Sequence, residues 1–162
     1  MRIAFHTMGC KVNQYETQAM RRILEEAGYE TYEFSTNDSA CDALVINSCT
    51  VTGESDRKLR QLLRRFRRLL PPDAALVLTG CTPQAYPDQS TMTEADIVLG
   101  NAVRREILPK LKEFFAKRER IVSVPPHSNT YEPLDIDAFQ GRTRAFIKIQ
   151  DGCNRFCSYC II

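Results

Sequence analysis

No apolar run in this sequence approaches the ~20 residues that a membrane-spanning helix needs, so no membrane partner is expected. The opening residues, Met1 to His6, pass at once into polar chain and lack the pattern of a secretory signal. Neither a G-x-G-x-x-G loop nor a Walker loop is present, which argues against nucleotide binding in a glycine-rich phosphate cradle. No Ser/His/Asp arrangement stands out, and histidine occurs only twice. Internal repeats and low-complexity segments are missing too. Charge of one sign is not in excess: 22 basic against 20 acidic residues leave +2, so any nucleic-acid signal must be local. What the chain does have is cysteine. Seven in 162 residues is an odd number, and without a secretion signal it favours a reducing, cytoplasmic setting. It also favours metal or redox chemistry over a disulfide framework.

Hydrophobic periodicity alternates between strand and helix. Buried strands are expected at Arg2–His6, Ala43–Asn47 and Ala74–Thr79, with further strands at Glu30–Phe34, Ile97–Leu99 and Ile121–Val124. A helix is expected to open at Asn13, with Glu16 completing a capping box, and to stop at Gly28. A second helix is expected from Ser55 to Leu70, ended by Pro71 and Pro72, and a third from Val103 to Arg118, kinked or restarted at Pro109. Residues 82–96 read as turns. This order predicts an α/β fold, an open and mostly parallel sheet with helices on both faces. The strands lack a polar face, as covering on both sides requires.

Two groups of cysteines stand out. Cys153, Cys157 and Cys160 are spaced C-x3-C-x2-C, close enough to ligate three corners of one cubane iron–sulfur cluster and leave its fourth iron open. Cys10, Cys49 and Cys81 are far apart in sequence, yet each falls just past the carboxyl end of an expected buried strand, beside Gly9, Ser48 or Gly80. Ligands of open parallel sheets bind at that end. On neighbouring strands the three would converge on one cluster; otherwise they are small buried residues. Zinc is the competing metal, but three cysteines fall short of the usual four ligands. His6, the one histidine placed to help, reads as a packing residue inside a strand. Cys41 reads as structural.

The loop from Cys153 to Cys160, preceded by Arg142-Thr143-Arg144-Ala145-Phe146-Ile147-Lys148-Ile149-Gln150-Asp151-Gly152, resembles the cluster loop of radical S-adenosylmethionine enzymes, and more narrowly of the methylthiotransferases. Gly9 to Glu16, Asn47 to Thr52 and Thr79 to Gln84 resemble the three signatures of that family's N-terminal domain. The resemblance implies two 4Fe–4S clusters, one on Cys10, Cys49 and Cys81, the other on Cys153, Cys157 and Cys160. The second would chelate S-adenosylmethionine at its open iron and release a 5′-deoxyadenosyl radical on reduction by an electron donor, with Tyr159 against the adenine. It also implies division into an iron–sulfur domain (1–124), a linker (125–141) and the first strand and cluster loop of a truncated (β/α) barrel (142–162). Such a portion is expected to be inactive alone, and residues 142–162 to lack native packing. Gly9-Cys10-Lys11-Val12-Asn13 is most similar to the branch that adds a methylthio group to C2 of threonylcarbamoyladenosine in the anticodon stem-loop of tRNA. Enzymes acting on isopentenyladenosine or on a ribosomal-protein aspartate are alternatives within the family. An electron carrier or a zinc-stabilised RNA-binding module is the alternative outside it.

The local basic signal lies on the second helix. Arg57, Lys58, Arg60, Arg64, Arg65, Arg67 and Arg68 follow one another with no intervening acid. Like charges at that density repel unless something neutralises them, and RNA phosphates would do so. Without interleaved aromatics, backbone contact is expected and base stacking is not. A solvated helix face is the competing reading. Arg104, Arg105, Lys110, Lys112, Lys117 and Arg118 suggest a second, more dilute basic surface.

Overall fold

The computed structural model describes residues 1–37, 40–88, 94–126, 132–136, 146–150, 152, 153, 155 and 157–159. Six parallel strands form one open sheet: β1 (Arg2–Thr7), β2 (Glu30–Glu33), β3 (Ala43–Ser48), β4 (Ala75–Gly80), β5 (Ile97–Leu99) and β6 (Ile121–Ser123). Their order is β2-β1-β3-β4-β5-β6, so the sequence runs outward from β1 in both directions. Among the described residues four α-helices cover the sheet: α1 (Lys11–Glu26), α2 (Gly53–Leu69), α3 (Cys81–Ala85) and α4 (Ile107–Lys117). The expected α/β architecture is found.

Alternation along each strand builds two cores. Ile3, Phe5, Val45, Val77, Ile97 and Leu99 face α1 and α4, where Met20, Leu24, Ile107 and Leu111 meet them. Ala4, Leu44, Ile46, Leu76, Leu78 and Val98 face α2, against Leu59, Leu63 and Phe66. All residues of β3 and β4 are buried, as central parallel strands require. Fully burying one such Leu or Val is worth about 1.5–3 kcal/mol.

Local chemistry shifts several boundaries. α1 begins at Lys11, two residues ahead of Asn13, because Cys10 is its N-cap. Asn13 takes the third helical position and its Oδ1 accepts from the Cys10 backbone N–H at 3.2 Å, so Asn13 closes the first turn and Glu16 plays no capping part. α2 is capped by Thr52, whose Oγ1 accepts from the Ser55 N–H at 3.2 Å. Residues 82–85, expected as turn, belong to α3; Gly80 precedes that helix with φ of 100°. The expected third helix divides into a 3-10 turn over Asn101–Glu106 and then α4. Pro109 falls in the first turn of α4, where its missing N–H is no loss.

Candidate metal centre

The strand order decides where the first three cysteines lie. β1, β3 and β4 are consecutive neighbours, in register Thr7↔Asn47 and Ser48↔Gly80. Cys10 follows β1 across a short turn, Cys49 follows β3 directly, and Cys81 opens α3 directly after β4. All three stand at the carboxyl edge of the sheet, and β1 and β3 flank the point where strand order reverses.

Glycine makes the approach possible. A Cβ on Gly9 would lie 2.5 Å from the Cys49 Cβ and 3.1 Å from its Sγ, and Gly9 adopts φ of 109°. A Cβ on Gly80 would collide with the Ser48 backbone. Two asparagines lock the rest. The Asn13 amide donates to Asn47 Oδ1 at 3.2 Å and to the Ser48 carbonyl at 3.0 Å. The Asn47 amide donates back to the Asn13 carbonyl at 2.8 Å and to Thr17 Oγ1 at 3.2 Å. The helix turn bearing Cys10 is thereby bolted to the strand end bearing Cys49.

Electrostatics couple the thiols. The Cys81 thiol is pushed up to about 11, first by burial, then by Glu16 and by the charge Cys49 would carry; Cys10 adds to this and Arg104 opposes it. Thiolates gathered here repel one another, and a cationic iron–sulfur group would relieve that repulsion and deprotonate them. Among the described residues no three His, Cys, Asp or Glu side chains are close enough to grip one ion. Cluster ligands bind different irons and stand further apart than ligands of a single ion. The donor set, the side-chain-free glycines and the coupled thiols fit a cluster that takes three thiolates.

Sequence reasoning missed the charges beside this edge. Arg104, expected on a basic surface, is only 1% exposed. Its Nη2 lies 3.1 Å from Glu16 Oε2, an ion pair rather than an aligned hydrogen bond, and its Nη1 lies 3.4 Å from Glu132 Oε2. The Asn101 carbonyl accepts from Arg104 Nη1 at 2.7 Å. Glu132 Oε1 accepts from the Arg105 N–H at 2.9 Å, and burial pushes its carboxyl above the ordinary range. Lys148 Nζ donates to Glu16 Oε1 at 2.9 Å. Breaking one member of such a buried set costs about 3–5 kcal/mol, since its partner's charge is stranded.

The second cysteine motif is only partly in view. Cys153 and Cys157 are exposed, Tyr159 is 91% exposed, and Cys160 lies outside the described residues. Residues 142–145 of the expected strand lie outside them as well, and 146–150 form no regular element. The expectation that this stretch lacks packing does not hold for Lys148, nor for Phe146, whose ring lies 5.2 Å from Lys11 Nζ. His6 packs edge-on against Phe66 at 5.2 Å, in keeping with a packing role. Cys41 is buried in the α2-side core.

On α2 much of the expected repulsion is already answered. Glu54 pairs with Arg57 and Lys58, Glu94 with Arg64, and Asp96 with Arg67. Arg60, Arg65 and Arg68 have no acidic partner among the described residues. A cavity of about 330 Å³ beside the end of β1 is lined by His6, Met8, Lys58, Gln61, Leu62 and Arg65.

Residues 2–100, the region that builds this thiol edge, match the family described as Uncharacterized protein family UPF0004. The chain belongs to that family. The expected kinship to methylthiotransferases is found as well. Over 99% of its length the chain is 44% identical to the Threonylcarbamoyladenosine tRNA methylthiotransferase MtaB of Bacillus subtilis, covering 35% of that protein. It is 37% identical to the Aquifex aeolicus protein of the same name, covering 39% of it. Identity is 26% to the tRNA-2-methylthio-N(6)-dimethylallyladenosine synthase of Syntrophus aciditrophicus, of which 35% is covered. This chain thus spans a little over a third of the relatives it matches. No helix among the described residues is long and apolar enough to cross a membrane.

Proposed function

We propose that this chain is part of a tRNA methylthiotransferase that modifies C2 of threonylcarbamoyladenosine beside the anticodon. One observation carries the reading: three thiols from distant sequence positions gather at the carboxyl edge of adjacent strands. Relatives named for threonylcarbamoyladenosine, at higher identity than the one named for dimethylallyladenosine, support the choice of substrate.

Cys10, Cys49 and Cys81 hold one 4Fe–4S cluster; Cys153, Cys157 and Cys160 hold another. When bound, the clusters and S-adenosylmethionine supply the sulfur, the methyl group and the one-electron chemistry that an unactivated adenine carbon requires. The chain's own part is positional. Asn13 and Asn47 fix Cys10 against Cys49. Gly9 and Gly80 leave no side chain between neighbouring strand ends. Arg104 places a buried positive charge beside Cys81 that offsets part of the upward push from Glu16. Exposed Tyr159 is available to an adenine ring. Arg60, Arg65 and Arg68, which have no acidic partner among the described residues, take phosphates of the stem-loop; Arg57, Lys58, Arg64 and Arg67 contribute after giving up theirs. Residues 1–124 form the first cluster domain, 125–141 the connection and 142–162 the start of the S-adenosylmethionine domain. An external electron donor and a cytoplasmic setting complete the reading.

Iron and acid-labile sulfide per chain after anaerobic reconstitution test it. About eight irons are expected, as two four-iron clusters, and about four in each of two triple variants, Cys10/Cys49/Cys81→Ala and Cys153/Cys157/Cys160→Ala. Zinc without sulfide would overturn the proposal.

A further inference from the structure

We infer that Lys148, through its buried pair with Glu16, fixes the second cysteine motif in register against the first. The pair closes a four-charge cluster drawn from separate stretches: Glu16 on α1, Arg104 on the 3-10 turn, Glu132 and Lys148. Each of these side chains is at most 3% exposed. Among the described residues two acids face two bases here, and without Lys148 the acids would outnumber the bases.

The pattern around Lys148 is inverted for a free segment. Ile147 and Ile149 are 84% and 89% exposed, while the lysine between them is inside. Burial of apolar surface would choose the opposite facing, so the ion pair sets it. A slip of one residue would turn an isoleucine inward and leave Glu16 short of its lysine. The neighbouring stretch is anchored on the same helix: the Tyr15 hydroxyl donates to the Leu134 carbonyl at 2.6 Å, and Leu134 is buried against Tyr15 and Ala19.

The consequence is a short leash. Cys153 lies five positions after Lys148, a reach of at most ~18 Å of extended chain. Glu16, at the other end of the pair, is close enough to Cys81 to act on its thiol. Lys148 is thus a positioning residue. Its importance for transfer rests on the two-cluster reading above, but the tether itself does not.

Amine acetylation of the full 162-residue chain, read by mass spectrometry, tests the tether. Lys148 should react slower than Lys58 and Lys117, by on the order of tenfold or more. Those two lysines are 60% and 59% exposed. In Glu16→Gln, Lys148 should approach their rate. A second measurement reads position. Cys10 and Cys153 are both exposed thiols, and the yield of their bismaleimide cross-link in the metal-free chain should fall several-fold in Lys148→Met and recover in Lys148→Arg. Native Lys148 reacting as fast as Lys117, or a cross-link unchanged in Lys148→Met, would overturn the inference. Protection of Lys148 in a chain that takes up no iron and sulfide would sink the cluster reading alone. Full iron uptake with an unprotected Lys148 would sink the tether alone.

Discussion

Replacing Asn47 with alanine removes a side chain that is wholly buried and makes three hydrogen bonds. No former partner is left entirely alone. The Asn13 amide keeps the Ser48 carbonyl, the Thr17 hydroxyl keeps the Thr7 hydroxyl at 2.9 Å, and the Asn13 carbonyl keeps its place in α1. The cost is then close to the net value of three bonds, about 3 kcal/mol at ~1 kcal/mol each. That is a large share of the ~5–15 kcal/mol that holds a domain folded. Asn47→Asp should be worse despite its matching shape, because it sets a carboxylate oxygen against the Asn13 carbonyl in a buried site. Urea unfolding gives the free energies. The rate at which the Cys49 thiolate, now 6% exposed, attacks an aromatic disulfide and releases the aromatic thiolate reports the local effect and should rise by up to ~100-fold. A loss below ~0.5 kcal/mol, or an aspartate better tolerated than alanine, would show that the Asn13–Asn47 lock does not hold the Cys10 and Cys49 turns together.

Gly80→Ala should cost about 2–5 kcal/mol, from left-handed backbone and collision with Ser48. Gly28→Ala, with φ of 83° and open space around it, should cost only about 1–2 kcal/mol; equal urea midpoints for the two would contradict the packing described. Burial holds the His6 imidazole below its ordinary 6.5. The unfolded chain therefore binds the extra proton first, and stability is full above about pH 6.5 and falls as pH drops through that value. His6→Phe should show a shallower loss of urea midpoint between pH 7.5 and 5.5, and an unchanged slope would assign the loss to other groups. For RNA, replacing both Arg60 and Arg65 by alanine should lower the slope of log affinity against log salt by about 1–2. Arg57→Ala, whose charge Glu54 already answers, should change it less; equal effects would mean that the helix pairs do not persist on RNA.

Much of this protein was legible from local pattern. Alternation of apolar runs and helical stripes, with Gly28, Pro71 and Pro72 as stops, sufficed for a parallel α/β sheet, because strands covered on both faces must be apolar throughout. The placing of Cys10, Cys49 and Cys81 after strands was legible for the same reason. Their gathering was not: it required β2 to move to the edge so that β1, β3 and β4 became neighbours, and strand order is set by packing of the two helix layers. The start of α1 was misplaced because cysteine is a weak cap signal and Asn13, rather than a glutamate, closes the turn. Charges were the least legible. Arg104 read as part of a basic surface and nothing marked Lys148, since a basic residue is buried only when a partner arrives, and Lys148 lies 132 positions from its partner Glu16. The same holds for α2, where Glu94 and Asp96, just before β5, neutralise Arg64 and Arg67. Sequence alone determined the strands, most of the helices and the residues able to ligate. Only the tertiary structure decided which of them meet and which charges are buried, because both depend on contacts between segments that carry no local sign of each other.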